Sequence, residues 1–227
     1  ERPGDAEGRY ARAVASEILA LRAAGLLKVR HLFHLRAEVC SDTLIEELAE
    51  FGDADRVGLV SVMDHTPGQR QFRDLGKLKI YYSGKLGYSD ADFDALVAHR
   101  LELGDRVRSR HEAAAVEEAA RLGATLASHD DTTPEHVAAS REMGISLAEF
   151  PTTLEAAAAC REAGMRIIMG APNVVRGGSQ SGNISAAELA EAELLDIVSS
   201  DYVPALLLAS AFRLAALWGD LPGPSPR

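Results

Sequence analysis

Four residues with metal-binding side chains stand at the carboxyl ends of predicted strands. They are two carboxylates and two imidazoles, namely Glu38, His65, His129 and Asp201. Imidazole nitrogens and carboxylate oxygens together suit divalent ions in enzymes. Such ions lower the pKa of a shared water, and a nearby carboxylate can take its proton. These side chains therefore indicate metal-assisted hydrolysis, and a structural histidine is the alternative for His65.

A glycine-rich segment, residues 169–183, is predicted to be a loop between the apolar run Arg166–Met169 and a helix that starts at Ser185. Its glycines allow backbone N–H groups to approach a ligand, and Arg176 offers a planar guanidinium that suits phosphate. The other donors of this segment are Gly177, Gly178, Gly182, Ser179, Ser181 and Asn183. The segment predicts a site for a multiply charged anion, with a flexible surface loop as the alternative.

One predicted strand with mixed faces and five apolar runs, which alternate with helical segments, would position these residues. The predicted strands are Val29–Val39, Val57–Met63, Ala124–Ser128, Ile145–Phe150, Arg166–Met169 and Leu195–Ser200. No hairpin signal joins neighbouring runs, so we expect a parallel sheet with helices outside it. Polar residues follow nearly every run, as they do at the functional end of a (β/α)8 barrel. The pattern predicts an α/β fold.

The first strand and the segment after the second strand each allow more than one interpretation. Period-two alternation places His34, Arg36 and Glu38 on one face, which is the lumen of a barrel or the solvent face of an open sheet. Residues 72–122 form a charged helical insertion with a predicted break at Tyr81–Lys85. This insertion could be a lid, a solvated helical hairpin or an oligomer contact.

Bulk composition limits the function classes. The 227 residues are 47% hydrophobic, enough for one domain with a sizeable core. A net charge of −10 argues against a general nucleic-acid binder, although it allows an anionic small substrate. The two cysteines do not form a disulfide framework, so a cytoplasmic location is expected. No apolar run is long enough to span a membrane.

Five sets of residues resemble one enzyme family, in the same order and with similar spacing. They are His34–Glu38, Met63–Phe72, Ala127–Asp131 with Ala148–Thr153, Gly170–Asn183 and Ser199–Tyr202. On these segments the chain resembles the PhnM family, the α-D-ribose 1-methylphosphonate 5-triphosphate diphosphatases of the carbon–phosphorus lyase pathway. That family lies within the amidohydrolase superfamily. The resemblance extends from near the start of the chain to about Trp218.

The resemblance implies a fold and a set of residue roles. Residues 1–218 would form an incomplete TIM (β/α)8-type barrel with six βα units, followed by an irregular tail at 219–227. Two divalent ions, zinc or manganese, would be bound by His65, His129 and Asp201. Glu38 or His34 would bridge them, and Asp201 would also act as the base. The implied substrate-binding residues are Arg36, Gln69, Arg70, Glu149, Asn173, Arg176, Gly177, Gly178, Ser179 and Asn183.

Three departures from the family pattern accompany these expectations. No strand-one ligand motif precedes Glu38, Gln180 stands where the family has histidine, and the sequence after Trp218 does not continue the family pattern. We therefore expect a piece of a longer product, or a barrel completed by a partner chain.

The implied function is a metal-dependent hydrolase that releases diphosphate from the ribose triphosphate in phosphonate catabolism. Its ligand would be an anionic phosphorylated ribose. One alternative is another amidohydrolase that acts on an amide or a phosphoester. A second alternative is a non-catalytic fragment that binds a phosphorylated ligand or assembles with other phosphonate-pathway proteins. A homo-oligomer is compatible with all three.

Overall fold

A computed structural model describes residues 10–179 and 182–218. The chain divides into two compact units, one ending at Ala127 and the other beginning at Ser128. Outside the described residues lie the expected tail at 219–227 and two residues of the glycine-rich segment, Gln180 and Ser181.

The first unit contains two parallel strands. Strand β1 covers Phe33–Glu38 and strand β2 covers Val57–Met63, with Glu38 opposite Met63. The predicted parallel pairing is confirmed. Strand β1 begins four residues later than predicted: its pairing with β2 starts at Phe33, and the preceding Val29 and Leu32 side chains are exposed.

Four α-helices complete the part of the first unit that the structure describes. Helices α1 and α2 cover Tyr10–Ala23 and Leu44–Leu48, and α3 and α4 cover Leu75–Leu86 and Asp90–Leu122. The later part of α4 is packed closely, because Ala115 and Ala119 are fully buried and the buried His111 ring nitrogen Nδ1 lies 2.9 Å from the Val39 carbonyl oxygen. Helix α4 is therefore a packed part of the first unit.

The predicted break at Tyr81–Lys85 is wrong, because α3 continues through these residues. The helix ends at Gly87, whose φ of 73° is left-handed and whose N–H donates to the carbonyls of Ser83 and Tyr82. Helix α4 then begins after Ser89, which accepts from the Asp92 N–H in a reciprocal capping box. A small core of Leu78, Tyr82, Phe93 and Leu96 joins the two helices as a hairpin.

The second unit repeats a strand–helix pattern. Strand β3, Thr125–His129, crosses the boundary between the units, and β4, β5 and β6 cover Leu147–Glu149, Arg166–Gly170 and Ile197–Ser199. Strands β4 and β5, and β5 and β6, pair in parallel. The helices are α5 to α9, at Pro134–Glu142, Leu154–Glu162, Ala171–Arg176, Ala186–Glu191 and Leu206–Trp218. The expected α/β class with parallel strands is confirmed.

Part of the glycine-rich segment is helical, where a loop was predicted. Helix α7 starts directly after β5, with Pro172 in its first turn, where the missing N–H is tolerated. Gly177, with a φ of 80°, ends the helix. The non-helical part of the segment therefore begins at Gly177.

Among the described residues, no helix combines the length and the apolar composition that crossing a bilayer requires.

Candidate functional site

Left-handed backbone conformations concentrate after the strands' carboxyl ends. The non-glycine residues there with positive φ are Arg70 at 48°, Asp130 at 57°, Phe150 at 56° and Asp201 at 50°. Two further non-glycine residues with positive φ, Arg56 and Glu193, precede strands. Such conformations cost about 1 kcal/mol or more each and persist where surrounding contacts hold them. The strained backbone therefore coincides with the edge where the sequence predicts function.

In the first unit, Glu38 and His65 contact each other through two pairs of atoms. The backbone N–H of His65 donates to Glu38 Oε1 at 3.2 Å, and the imidazole Nδ1 pairs with Oε2. The ring of Phe72 lies 5.3 Å from the His65 ring. Burial raises the pKa of Glu38, but its hydrogen bonds and charge interaction with His65 lower the pKa overall. Glu38 is therefore an ionised acceptor for His65.

The turn after β2 is held by the buried carboxylate of Asp64. This carboxylate accepts from the Thr66 N–H at 3.0 Å, from the Thr66 hydroxyl at 2.6 Å and from Gln69 Nε2 at 2.5 Å. Arg108 of α4 adds an ion pair at 2.8 Å. Burial raises the pKa of Asp64, but these partners lower it overall. Gln69, a predicted substrate contact, thus helps to fix the turn that carries His65.

The alternation predicted for the first strand is confirmed. Along the strand, His34 and Arg36 are exposed, the next residue Ala37 is buried, and Glu38 is half-buried. His34 Nε2 lies 2.6 Å from Ser61 Oγ, and Arg36 Nε lies 3.2 Å from the sulfur of Met63. Both side chains reach across to β2.

In the second unit, His129 lies between two carboxylates at the end of β3. Its Nδ1 is 3.2 Å from Glu149 Oε2, and its Nε2 is 3.5 Å from Asp130 Oδ2. The ring of Phe150 stands edge-on to the imidazole at 5.2 Å and 85°. All three polar side chains are at most 8% exposed. The structure thus joins His129 to Glu149, which the sequence predicted only as a substrate contact.

Asp130 is a candidate ligand that the sequence interpretation missed. A tetrahedral ion with ligands at about 2.1 Å separates two of them by about 3.4 Å. The 3.5 Å between His129 Nε2 and Asp130 Oδ2 matches that spacing and is long for a hydrogen bond. The available signal was the position of Asp130 directly after His129. Among the described residues of the second unit, His129 and Asp130 could therefore be ligands of a metal ion.

Hydroxyl groups fix the turns that follow β3 and β4. Thr152 donates its hydroxyl to Thr132 Oγ1 at 2.8 Å, and Thr153 donates to the Thr132 carbonyl at 2.7 Å. The Thr152 N–H donates to the Asp131 carbonyl at 2.9 Å. The two turns are therefore tied together just beyond His129 and Glu149.

Asp201 lies against the end of β5. The carboxylate approaches Gly170 so closely that a Cβ built on this glycine would be 3.0 Å from Asp201 Oδ2. The residue is exposed and lies two positions after Ser199, the last residue of β6. A glycine at position 170 therefore leaves the space that the Asp201 side chain occupies.

The predicted anion-binding residues have internal partners. The N–H groups of Gly177 and Gly178 both donate to the Asn173 carbonyl, at 3.0 and 3.1 Å. The Asn173 side chain accepts from the Ala186 N–H at 2.8 Å. Arg176 donates to the Tyr202 hydroxyl at 3.2 Å. Binding of phosphate by the two glycine N–H groups would thus require them to change partners.

The remaining predicted substrate contacts lie in turns. Arg70 begins a 3₁₀ turn at residues 70–72 in the first unit, and it is half-buried. Ser179 and Asn183 are half-buried residues between α7 and α8 in the second unit.

Comparison with known proteins gives one informative similarity. No protein-family model matches the sequence, and no solved structure matches it. The chain is 48% identical over 193 residues to the alpha-D-ribose 1-methylphosphonate 5-triphosphate diphosphatase of Escherichia coli (strain K12). The alignment covers 84% of this chain and 50% of that protein, so the chain spans about half the length of this relative.

Proposed function

We propose that this chain carries the metal-binding and phosphate-binding part of a hydrolase that releases diphosphate from α-D-ribose 1-methylphosphonate 5-triphosphate. The observation that carries the proposal is the 48% identity to the Escherichia coli diphosphatase over 84% of the chain. The histidine–carboxylate groups at the strand ends, half-buried in the first unit and buried in the second, are of the kind that such a reaction needs.

The fold proposed for this function is a TIM (β/α)8 barrel of the amidohydrolase type, to which residues 1–218 contribute six βα units as one catalytic domain. Parallel pairing within each unit and strained residues after the strands support this arrangement. In a closed barrel the carboxyl ends of all strands meet at one rim, which is where such enzymes bind substrate.

Divalent metal ions, zinc or manganese, belong to the same proposal. His129 and Asp130 of the second unit would be ligands of an ion, since imidazole and carboxylate are common ligands of catalytic zinc. His65 of the first unit stays a predicted metal ligand. Once bound, an ion would polarise a phosphoryl oxygen and lower the pKa of the attacking water. Bridging of two ions by Glu38 stays a prediction. Both Glu38 oxygens contact His65, so a bridging role would require them to change partners.

Asp201 is the proposed base and a further metal ligand. Its carboxylate is exposed at a strand end, where it can take a proton from the attacking water. Gly170 leaves room for the carboxylate at this position. A group of this kind contributes typically 10²–10⁴-fold to the rate.

Arg176 and the segment after α7 are proposed to bind the departing diphosphate. The Arg176 guanidinium is held by the hydroxyl of Tyr202, the residue directly after Asp201. A cation next to the base would stabilise the negative charge that develops on the leaving oxygens. The remaining substrate contacts predicted from the sequence, with the exception of Glu149, are part of the same proposal.

Substitution of Asp201 by asparagine tests this proposal in the full chain. We expect Asp201→Asn to lower diphosphate release by about 10²-fold or more, because the amide cannot accept the proton. Release would be measured with the ribose triphosphate and a coupled diphosphate assay.

Asp105→Asn, the same change on the exposed surface of α4, is the matched control. Near-normal release by Asp201→Asn would remove Asp201 from the reaction. A wild-type chain that releases no diphosphate would contradict the proposed function itself.

A further inference from the structure

We infer that Glu149 is a positioning residue, which holds the His129 imidazole with Nδ1 protonated so that Nε2 can bind a divalent ion. The inference rests on the proposed function and deepens it. It also differs from the role expected from the sequence, in which Glu149 contacts the substrate.

The burial of Glu149 argues against direct contact with substrate. Glu149 is 6% exposed and His129 is 7% exposed. The Glu149 carboxylate faces the ring nitrogen Nδ1 at 3.2 Å, and the Glu149 carbonyl accepts from the Asp130 N–H at 2.9 Å. Glu149 thus contacts the candidate ligand pair through its side chain and its backbone.

The chemistry of imidazole indicates which ring nitrogen of His129 carries the proton and which has the lone pair. A neutral ring has one N–H donor and one acceptor, and an ionised carboxylate only accepts. Donation from Nδ1 to Glu149 therefore leaves a lone pair on Nε2, and Nε2 is the atom 3.5 Å from Asp130 Oδ2. Two acceptors at this spacing repel each other, whereas a cation between them would bind both.

Phe150 fixes the ring from a third direction. Its edge-on contact with His129 depends on a backbone φ of 56°, which a bulky residue rarely adopts. The Phe150 N–H donates to the Ile168 carbonyl at 2.9 Å, so neighbouring strand β5 holds the unusual conformation. The orientation of the imidazole is therefore built into the strand ends before any ion is bound.

Two measurements on the full chain test the inference. Nitrogen NMR of ¹⁵N-histidine protein, freed of metal by a chelator, reports which ring nitrogen carries a proton, and His129→Gln identifies the signal. We expect Nδ1 of His129 to be protonated and Nε2 unprotonated at neutral pH. Zinc titration of the same protein gives the affinity, which we expect Glu149→Gln to weaken by roughly 10- to 100-fold.

The matched control is Glu155→Gln, the same change at an exposed position of α6. We expect this variant to retain the wild-type zinc affinity. Protonation of both His129 nitrogens in the wild-type protein, an unchanged zinc affinity in Glu149→Gln, or no zinc binding by the wild-type chain would each overturn the inference. The NMR result requires no variant, so a misfolded Glu149→Gln protein would not remove the test.

Diphosphate release is measured separately. A chain that shows the expected tautomer and zinc affinities but releases no diphosphate would retain the role of Glu149 and contradict the proposed reaction.

Discussion

His65 in the first unit and His129 in the second unit have the same kinds of neighbours. Each imidazole meets a glutamate at Nδ1 and a phenylalanine ring at about the same distance, 5.3 Å for His65 and 5.2 Å for His129. The glutamates come from opposite directions along the chain. Glu38 precedes His65 by 27 residues, whereas Glu149 follows His129 by 20 residues. The arrangement is therefore a property of strand ends and not of one local motif.

The two arrangements differ in burial and in the contacts that support them. The side chains of His65 and Glu38 are 15% and 18% exposed, whereas those of His129 and Glu149 are 8% and 7% exposed. An ion pair from Asp64 to Arg108 fixes the turn that carries His65. Threonine hydroxyls fix the turn beyond His129. The first support is electrostatic and the second is made of neutral hydrogen bonds.

The largest expected effect comes from removing either imidazole. If each histidine is a metal ligand, His65→Asn and His129→Asn should each weaken zinc binding by at least about 100-fold, more than loss of a residue that only supports a ligand. Equilibrium dialysis with elemental analysis measures affinity and stoichiometry.

His99→Asn on the exposed surface of α4 is the control and should bind zinc normally. If the wild type binds two zinc ions tightly and either variant binds only one, each histidine is a ligand of a different ion.

A smaller effect is expected from the two kinds of turn support. Asp64→Asn removes a buried charge that has four partners, so it should lower the free energy of unfolding by about 1–3 kcal/mol. Thr152→Val removes a neutral hydrogen bond and should cost about 1 kcal/mol. Urea unfolding of the metal-free chain measures both.

Added salt distinguishes the two supports. It screens the ion pair between the partly exposed Arg108 and Asp64, but it does not screen the neutral hydrogen bonds of the threonine hydroxyls. The control is Asp42→Asn, which breaks an exposed pair with Arg106 and should leave stability unchanged. If the loss of unfolding free energy in Asp64→Asn and in Thr152→Val depended equally on salt, the proposed contrast between an electrostatic and a neutral support would be wrong.

The smallest effect concerns pH. The pKa of Glu38 is lower in the folded chain than in the unfolded chain, so the unfolded state binds more protons in acid. The resulting stability is fully present above the unfolded pKa and is lost as pH falls through the folded pKa. Glu38→Gln should therefore reduce the loss of stability in acid, measured by urea unfolding of metal-free protein at several pH values.

Part of the acid dependence should remain in Glu38→Gln, because the pKa of Asp64 is also lowered. The exposed Glu46→Gln should behave like the wild type. An acid dependence as steep in Glu38→Gln as in the wild type would show that Glu38 carries no such linkage.

The sequence predicted elements whose signals are local. Among the described residues, apolar runs identified five of the six strands, and period-two alternation identified the first. The break between α3 and α4 was misplaced, because it was predicted at Tyr81–Lys85 although the left-handed Gly87 ends the helix. Helix α7 was missed because its six residues lie within a glycine-rich segment.

The sequence by itself determined the types of chemical group and their order at the strand ends. Imidazoles, carboxylates and the glycine-rich segment are visible without a structure, since residue type and strand period are one-dimensional properties. The tertiary structure decided the partners: Glu38 for His65, Glu149 and Asp130 for His129, and Gly170 for Asp201. Partners depend on strand register and on left-handed backbone turns, which arise only when segments distant in sequence pack together.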